Sequence, residues 1–257
     1  MEAVWLTRFG GPEELVARDT PDPVPGPGQV VVAVRYANIT FVETQFRATG
    51  FGPFRADDLP LVPGNGVGGV VAEVGAGVDA GLTGRRVVTG TGGAGGYAER
   101  VAVDAAGLFA VPDGLALDDA VAVLADGRTA TMLLAAAAPK PGETVLVEAA
   151  AGGVGSLLVQ LAGAAGARVV AAAGGERKLA LARELGAGPA MDYRDDGWTE
   201  RVPGPVDVVF DGVGGAVGRA AFGLLAPDGR MVSYGLAGGA WADVPEDEAA
   251  ARGVRLV

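Results

Sequence analysis

A glycine-rich segment, residues 149–155 (Ala-Ala-Ala-Gly-Gly-Val-Gly), directly follows a predicted strand, Thr144–Glu148, and precedes a predicted helix. Small residues here let the backbone approach a ligand closely, and the first N–H groups of a helix have no partner within that helix. Ala150, Gly152 and Gly155 occupy the three small-residue positions of the dinucleotide-binding pattern G-x-G-x-x-G, with alanine in the first. The segment therefore predicts a pyrophosphate-binding turn. The plainer alternative is a tight strand-to-helix turn in a glycine-rich chain.

The rest of the second half repeats this alternation of strand and helix. The predicted strands are 144–148, 168–173, 206–210 and 229–234, and the predicted helices are 154–165, 176–185 and 216–225. Strands that alternate with helices of this length indicate βαβ units on a parallel sheet. The alanine- and leucine-rich stretch 118–138 is predicted to be helical, and the apolar run 254–257 is typical of the start of another strand.

The first half has a different pattern, in which short apolar runs are separated by glycine and proline. These runs are 30–34, 67–74, 86–89, 97–103 and 108–111. Their spacing favours a compact sheet or barrel. We therefore predict two domains, a β-rich domain over 1–118 and a parallel α/β domain over 119–257.

The composition excludes several classes of function. The 257 residues include no cysteine and no histidine, which removes disulfides, thiolate and imidazole catalysis, and the usual nitrogen and sulfur ligands of zinc. The net charge of −11, without a dense basic patch, argues against a nucleic-acid or anionic-membrane partner. Neither a signal peptide nor a membrane span is predicted, so the expected compartment is the cytoplasm.

The end of the second predicted strand bears on the choice between NAD and NADP. An NAD site usually has an acidic residue at this strand end, but here Gly174-Gly175 follows the strand and Arg177-Lys178 comes soon after. Basic side chains suit a 2′-phosphate, although a solvated helix face is otherwise the more common explanation for them. Glu176 is either a ribose ligand or a first-turn acid favoured by the helix dipole, and we favour the second. We therefore predict NADPH as the cofactor.

Many short segments, taken together and in order over almost the whole chain, resemble the zinc-free quinone oxidoreductase or zeta-crystallin-like branch of the medium-chain dehydrogenase/reductase superfamily. They are 23–28 (PVPGPG), 62–64 (VPG), 68–71 (GGVV), 95–99 (GGYAE), 150–155 (AAGGVG), Lys178, 193–194 (YR), 211–214 (DGVG) and 229–235 (GRMVSYG). Zinc-dependent relatives carry Gly-His-Glu where this chain has Gly64-Asn65-Gly66, so the resemblance implies a site without metal.

The resemblance implies a GroES-like catalytic domain followed by a Rossmann domain, with hydride transfer from NADPH to quinones or other conjugated carbonyls. The implied catalytic residues are Asn38, Gln45 and Thr129, and Asp126 nearby is interpreted as a helix N-cap. Lys178 and Tyr193 are expected at the 2′-phosphate, and Val213 and Gly235 at the nicotinamide. The predicted cofactor-binding residues are Ala150, Ala151, Gly152, Gly153, Val154, Gly155, Gly174, Arg177, Lys178, Tyr193, Val213 and Gly235.

The chain departs from the family in three places. No tyrosine lies between Tyr36 and Tyr97, and Gln45 stands where one is expected; Arg85 replaces a common aspartate. Family members also continue past residue 257, so the resemblance implies that the C-terminal segment is missing here. Two alternatives stay open: a reductase of a specific 2-enoyl or biosynthetic intermediate, and a non-catalytic NADPH-binding sensor. A small-molecule quinone or enone is the expected partner, and a homodimer is a possible assembly.

Overall fold

The computed structural model describes residues 1–52 and 59–257. These form two compact units, Met1–Ala125 and Asp126–Val257. The division falls inside one long helix, Leu117–Ala137, and the boundary expected from the sequence, between residues 118 and 119, lies near the start of the same helix.

The first unit is built mainly of antiparallel strands. They are β1 (Glu2–Leu6), β2 (Leu15–Asp19), β3 (Gln29–Ala37), β4 (Gly66–Val74), β5 (Arg86–Gly90), β6 (Arg100–Asp104) and β7 (Phe109–Ala110). The first two pair with each other, and the others form a sheet in the order β6-β3-β4-β5-β7. Alternate valines of the central strands, such as Val30 and Val32 in β3, point into one buried cluster, as the two-residue period of a strand requires. The predicted β-rich domain is confirmed.

The first unit also contains a short helix that the sequence analysis missed, α1 (Phe41–Thr49). Its N-terminus has a capping box, because the Glu43 carboxylate accepts the N–H of Thr40 at 2.7 Å. Gly50 ends the helix in the left-handed conformation, which glycine adopts without steric cost. The motif Thr40-x-x-Glu43 was the signal that could have revealed this helix.

The long helix α2 (Leu117–Ala137) confirms the helical prediction for 118–138. By length and composition it is also the one helix in the described part of the chain that could cross a membrane. Core helices of globular proteins pass the same test. In this helix Val121 is buried in the first unit, and Ala130 and Ala137 are buried in the core of the second.

The second unit is a parallel sheet with helices on both faces. Its strands are β8 (Thr144–Glu148), β9 (Arg168–Ala173), β10 (Ala190–Asp192), β11 (Val206–Asp211), β12 (Leu225–Ser233) and β13 (Arg255–Leu256). Its helices are α3 (Gly153–Ala164), α4 (Glu176–Glu184), α5 (Gly215–Gly223) and α6 (Glu246–Ala251). The strand order is β10-β9-β8-β11-β12-β13, which confirms the predicted Rossmann-like fold.

Two separate clusters of buried residues show that both faces of this sheet are covered. Val145 and Val147 of β8 belong to one cluster with residues of α3 and α4. Leu146, between them, belongs to the other, with residues of α5 and α6. Strands buried on both sides need continuous apolar runs, which explains why their sequences do not alternate with polar residues.

Candidate functional site

The predicted cofactor-binding residues all follow the carboxyl ends of neighbouring parallel strands. The stretch 150–155 follows β8, Gly174 to Lys178 follow β9, and Tyr193 follows β10. Val213 and Gly235 follow β11 and β12. Because these strands are adjacent and parallel, one edge of the sheet carries all of these residues. Ligands of open α/β sheets bind at this edge.

The glycine-rich turn after β8 is closely packed. A Cβ atom on Gly155 would lie 2.3 Å from the carbonyl oxygen of Ala149, so only glycine lets α3 start so near the strand. Ala149 itself has a positive φ of 47°. Gly152 is the N-cap of α3, and none of the described side chains caps it. Its exposed position and the unpaired N–H groups of the first turn fit a phosphate of a dinucleotide.

Asp126 lies beside the start of α3, a contact that the sequence did not indicate. A Cβ atom on Gly153 would lie 1.8 Å from Asp126 Oδ2. Burial raises the pKa of this carboxyl. Asp126 stands in the middle of α2, so its interpretation as an N-cap is wrong: the helix begins before it, at Leu117.

The residues after β10 fold against the glycines that follow β9. Arg194 forms an ion pair with Asp192, with Nη2 2.7 Å from Oδ2 and Nε 3.0 Å from Oδ1. Asp192 also accepts the N–H of Gly175 at 2.9 Å. Cβ atoms on Gly174 and Gly175 would lie 3.3 Å from Tyr193 Cε2 and 3.0 Å from Arg194 Nη2, respectively. The sequence analysis expected Tyr193 at the 2′-phosphate, whereas it named Arg194 only as part of the segment 193–194 and gave it no role.

The basic pair at the start of α4 is exposed to solvent. Arg177 and Lys178 have exposed side chains. Glu176 accepts a hydrogen bond at 2.7 Å from Arg183, which lies two turns further along the same face of α4. This contact and the first-turn position of Glu176 agree with the interpretation of Glu176 as a helix-start residue.

The ends of β11 and β12 are joined by backbone hydrogen bonds. The N–H of Gly238 donates to Val213 O at 2.8 Å. A Cβ atom on Gly235 would lie 2.7 Å from the carbonyl oxygen of Gly212, so the two segments pass in close contact. The structure therefore places the two segments that carry Val213 and Gly235 next to each other.

The three predicted catalytic residues have different surroundings. Asn38 follows β3, and its Oδ1 is buried without a donor among the described residues. Gln45 is exposed on α1, and Thr129 is half-buried on α2. Asn38 and Gln45 belong to the first unit and Thr129 to the second.

Both halves of the chain are similar to known protein families. The alcohol dehydrogenase GroES-like domain matches residues 26–113, and the zinc-binding dehydrogenase family matches residues 153–257. The quinone oxidoreductase of Pseudomonas aeruginosa is 35% identical over 242 residues, which cover 92% of this chain and 74% of that protein. The chain belongs to the zinc-free quinone oxidoreductase branch of the medium-chain dehydrogenase/reductase superfamily.

Other members of the superfamily agree with this assignment. The 2-haloacrylate reductase of a Burkholderia species is 34% identical over 92% of this chain and 74% of its own length. The solved structure of the quinone oxidoreductase from Thermus thermophilus, described also in complex with NADPH, is 36% identical with a TM-score of 0.85. That comparison covers 100% of this chain and 79% of the Thermus chain.

In this member of the quinone oxidoreductase branch, Glu43 organises the surroundings of Asn65. Its Oε2 accepts the N–H and hydroxyl of Thr40, both at 2.7 Å, and its Oε1 accepts the N–H of Asn65 at 2.8 Å. Burial and the contact with Glu43 raise the pKa of Tyr97. The sequence analysis named Gln45 of this segment as a catalytic residue but did not identify Glu43 as the residue that fixes the segment.

Asn65 is the position at which zinc-dependent members of the superfamily carry histidine. In this chain the residue is asparagine, and its backbone N–H donates to the carboxylate of Glu43. Among residues 1–52 and 59–257, no cluster of three or more acidic, histidine or cysteine side chains could hold a metal ion.

Proposed function

We propose that this protein is an NADPH-dependent oxidoreductase that reduces quinones or other conjugated carbonyl compounds without a metal. The observation that carries the proposal is the single sheet edge that gathers the uncapped start of α3, the glycine cradle at Gly152 and Gly155, and the basic residues after β9 and β10. The turn suits a dinucleotide in its shape as well as its charge, since a side chain at Gly155 would collide with the backbone of Ala149.

The preference for NADPH over NADH rests on the charges beside Gly174 and Gly175. Arg177 and Lys178 are exposed there, and the side chain of Arg194 packs against both glycines. Two carboxylates lie nearby: Glu176 accepts from Arg183, and Asp192 already accepts from Arg194 and from the backbone. Arg194 therefore lowers the pKa of Asp192 and uses the acceptor capacity that a ribose hydroxyl would need. A 2′-phosphate meets donors at this place.

In the proposed reaction the chain contributes binding, orientation and neutral hydrogen-bond donors. When bound, NADPH supplies a hydride. Asn38, Gln45 and Thr129 are the proposed catalytic residues, which orient the carbonyl compound and stabilise charge that develops on its oxygen. Water can then protonate that oxygen, so no side-chain acid is required. Saturated alcohols should not react, because the chain has no histidine or cysteine to hold a zinc ion that would polarise them.

The second candidate is a reductase of a specific 2-enoyl or biosynthetic intermediate. The similarity to a 2-haloacrylate reductase favours it, since that enzyme's name describes a substrate with a conjugated double bond. Both candidates have a small-molecule partner, and we place either one in the cytoplasm. Sedimentation analysis would test whether two copies form a homodimer.

The cofactor part of the proposal is tested by titration with NADPH and NADH. Lys178→Ala should weaken NADPH binding by about 1.5–3 kcal/mol, the range for charge-assisted hydrogen bonds, and leave NADH binding almost unchanged. Lys140→Ala is the matched control, because Lys140 is the chain's other lysine and is also exposed. Equal losses for both cofactors in the Lys178 variant would show that this side chain is only structural.

The substrate part is tested by NADPH oxidation with a panel of quinones, enones, 2-enoyl thioesters and saturated alcohols. Turnover of several quinones would support the first candidate, and turnover restricted to one acyl class would support the second. NADPH binding without turnover of any compound would replace both candidates with the sensor function.

A further inference from the structure

Two acidic residues end neighbouring strands at the centre of the sheet edge that carries the proposed cofactor-binding residues. Glu148 is the last residue of β8, and Asp211 is the last residue of β11. The register that pairs Val147 with Phe210 continues to these two positions, so their side chains lie on the same side of the sheet. Both residues are 0% exposed.

The hydrogen bonds around this pair are unequally divided. Asp211 Oδ1 accepts the N–H groups of Gly214 at 2.7 Å and Val213 at 3.2 Å, and Oδ2 accepts the hydroxyl of Ser233 at 3.1 Å. Glu148 Oε2 accepts only the N–H of Val213, at 3.3 Å, and Oε1 is buried without a donor among the described residues. Several donors stabilise a carboxylate, whereas a buried oxygen with none favours a protonated acid.

The surroundings add no positive charge that could compensate a second carboxylate. Among the described residues, neither carboxyl group pairs with an arginine or lysine. Burial, and after it the charges of Glu148, Asp211 and Asp126, raise the pKa of Tyr234 after β12. Burial also raises the pKa of Tyr193 after β10, with a smaller contribution from Glu148. Burial, with a smaller contribution from Asp211, raises the pKa of Glu148 to about 10.

We propose that Glu148 is a positioning residue: as a neutral acid it donates a hydrogen bond to Asp211 and thereby holds the Val213–Gly214 turn in shape for the cofactor. Asp211 reaches the turn directly, and Glu148 acts through Asp211 and the N–H of Val213. Val213 is a proposed neighbour of the nicotinamide, so the inference rests on the proposed function at this point. The buried proton is thus part of the binding site.

The turn needs this support because its backbone is unusual. Gly214 has a φ of 71°, and a Cβ atom on it would lie 2.1 Å from the carbonyl oxygen of Ala240. Loss of the proton would place two negative charges side by side in a buried site. Asp211 would then be pushed away from Glu148, and the N–H groups of Val213 and Gly214 would lose their acceptor geometry.

The first test measures the dissociation constant of NADPH by fluorescence between pH 7 and pH 10.5, with circular dichroism to confirm that the protein stays folded. In the wild type, NADPH affinity should be level up to about pH 9 and then fall by about fourfold by pH 10.5, since burial raises the pKa of Glu148 to about 10 and only the protonated form binds. Glu148→Gln should bind within about threefold of the wild type at pH 7 and lose this pH dependence, because an amide can donate to Asp211 and accept from Val213.

Two further variants complete this test. Glu148→Leu, which can neither donate nor accept, should bind NADPH more weakly at every pH. Tyr234→Phe should keep the wild-type pH profile, which separates the titration of Glu148 from that of the nearby phenol. The proposal is overturned if NADPH affinity falls as much in Glu148→Gln as in the wild type between pH 7 and pH 10.5, or if Glu148→Leu binds as the wild type does throughout.

The second test does not depend on the cofactor. A carboxyl whose pKa is raised in the folded state takes up a proton on folding, so its contribution to stability falls as the pH rises from about 4.5 to about 10. The pH slope of unfolding between pH 6 and pH 9 should correspond to about one proton fewer in Glu148→Gln than in the wild type. An unchanged slope would contradict the buried proton. If NADPH did not bind at pH 7 but the slope changed, the proposed function would fail and the proton would remain.

Discussion

The guanidinium of Arg194 and the carboxylate of Asp192 form a two-point ion pair, with contacts of 2.7 and 3.0 Å, at the carboxyl end of β10. The same carboxylate holds the N–H of Gly175, which belongs to the turn after β9. A single ion pair thus fixes the position of an arginine next to the proposed 2′-phosphate site. Neither residue was among the cofactor-binding residues predicted from the sequence.

Arg194→Gln should weaken NADPH binding about 3- to 30-fold and leave NADH binding within about twofold, since only the phosphate needs the positive charge. Asp192→Asn should weaken both cofactors, because the Gly175 backbone loses a charged acceptor. Calorimetric titration of both variants with both cofactors checks this. Equal effects of Arg194→Gln on NADPH and NADH would place the arginine outside the phosphate site.

Two glycines of α3 should respond in opposite directions to replacement by alanine. Gly155→Ala puts a Cβ atom 2.3 Å from Ala149 O, so it should lower the free energy of unfolding by about 1–3 kcal/mol and weaken NADPH binding. Gly163→Ala meets nothing within 4 Å and should stabilise the protein by about 0.5–1 kcal/mol. Urea unfolding measures both, and equal stability of the two variants would contradict the packing of the turn.

Glu43 should be the most sensitive acidic residue of the first unit. Glu43→Ala leaves the N–H groups of Thr40 and Asn65 without their acceptor, and we expect a loss of about 2–4 kcal/mol in the free energy of unfolding. Glu13→Ala, at an exposed position, should change it by less than about 0.5 kcal/mol. Similar unfolding midpoints for the two variants would show that Glu43 does not fix this segment.

The Arg230–Glu143 pair should stabilise the second unit in a pH-dependent way. Its side chains are only 15% and 18% exposed, and Arg230 also donates to Ala137 O at 2.8 Å. Arg230→Met should lower the free energy of unfolding at pH 7 by about 1–3 kcal/mol. The matched variant Arg201→Met breaks a pair that is 48% and 57% exposed and should have less than about 1 kcal/mol of effect.

The sign of this pH dependence follows from Glu143. The contact with Arg230 lowers its pKa in the folded protein, so the contribution to stability is present above about pH 4.5 and is lost as the pH falls through the folded value. The difference between the wild type and Arg230→Met should therefore shrink below pH 4.5. A difference that stays constant down to pH 3 would mean that the lost interaction is not ionic.

The central strands could be predicted well because each is a buried apolar run between glycines. The strand predicted at 168–173 is β9 (Arg168–Ala173), residue for residue. The strand predicted at 229–234 is longer in the structure, since β12 (Leu225–Ser233) begins before the turn-like Asp228-Gly229 and passes through a register irregularity. The predicted helix 216–225 accordingly ends earlier, at Gly223. The three-residue strand β10 has too few residues for a hydrophobic pattern.

The side-chain contacts of the site could not be predicted because they depend on which strands are neighbours. Glu148 and Asp211 meet only because β11 lies next to β8, although 63 residues separate their positions in the chain (211 − 148). Arg194 reaches Gly175 because β10 lies next to β9. The glycine-rich turn, in contrast, is a local feature, and its pattern of small residues was sufficient to predict a close turn from strand to helix.

The most direct test of the proposed function uses two samples of NADPH, each with one deuterium at C4 of the nicotinamide ring, on opposite faces. The wild-type protein is mixed with each sample and a conjugated enone, and the reduced product is analysed by mass spectrometry and NMR. Direct hydride transfer predicts one deuterium per product molecule from one of the two samples only, bound to the β-carbon of the former enone and drawn from one face of the ring. NADPH that binds but yields no deuterated product from any enone, together with no oxidation by quinones, would contradict the assignment of this protein as an oxidoreductase.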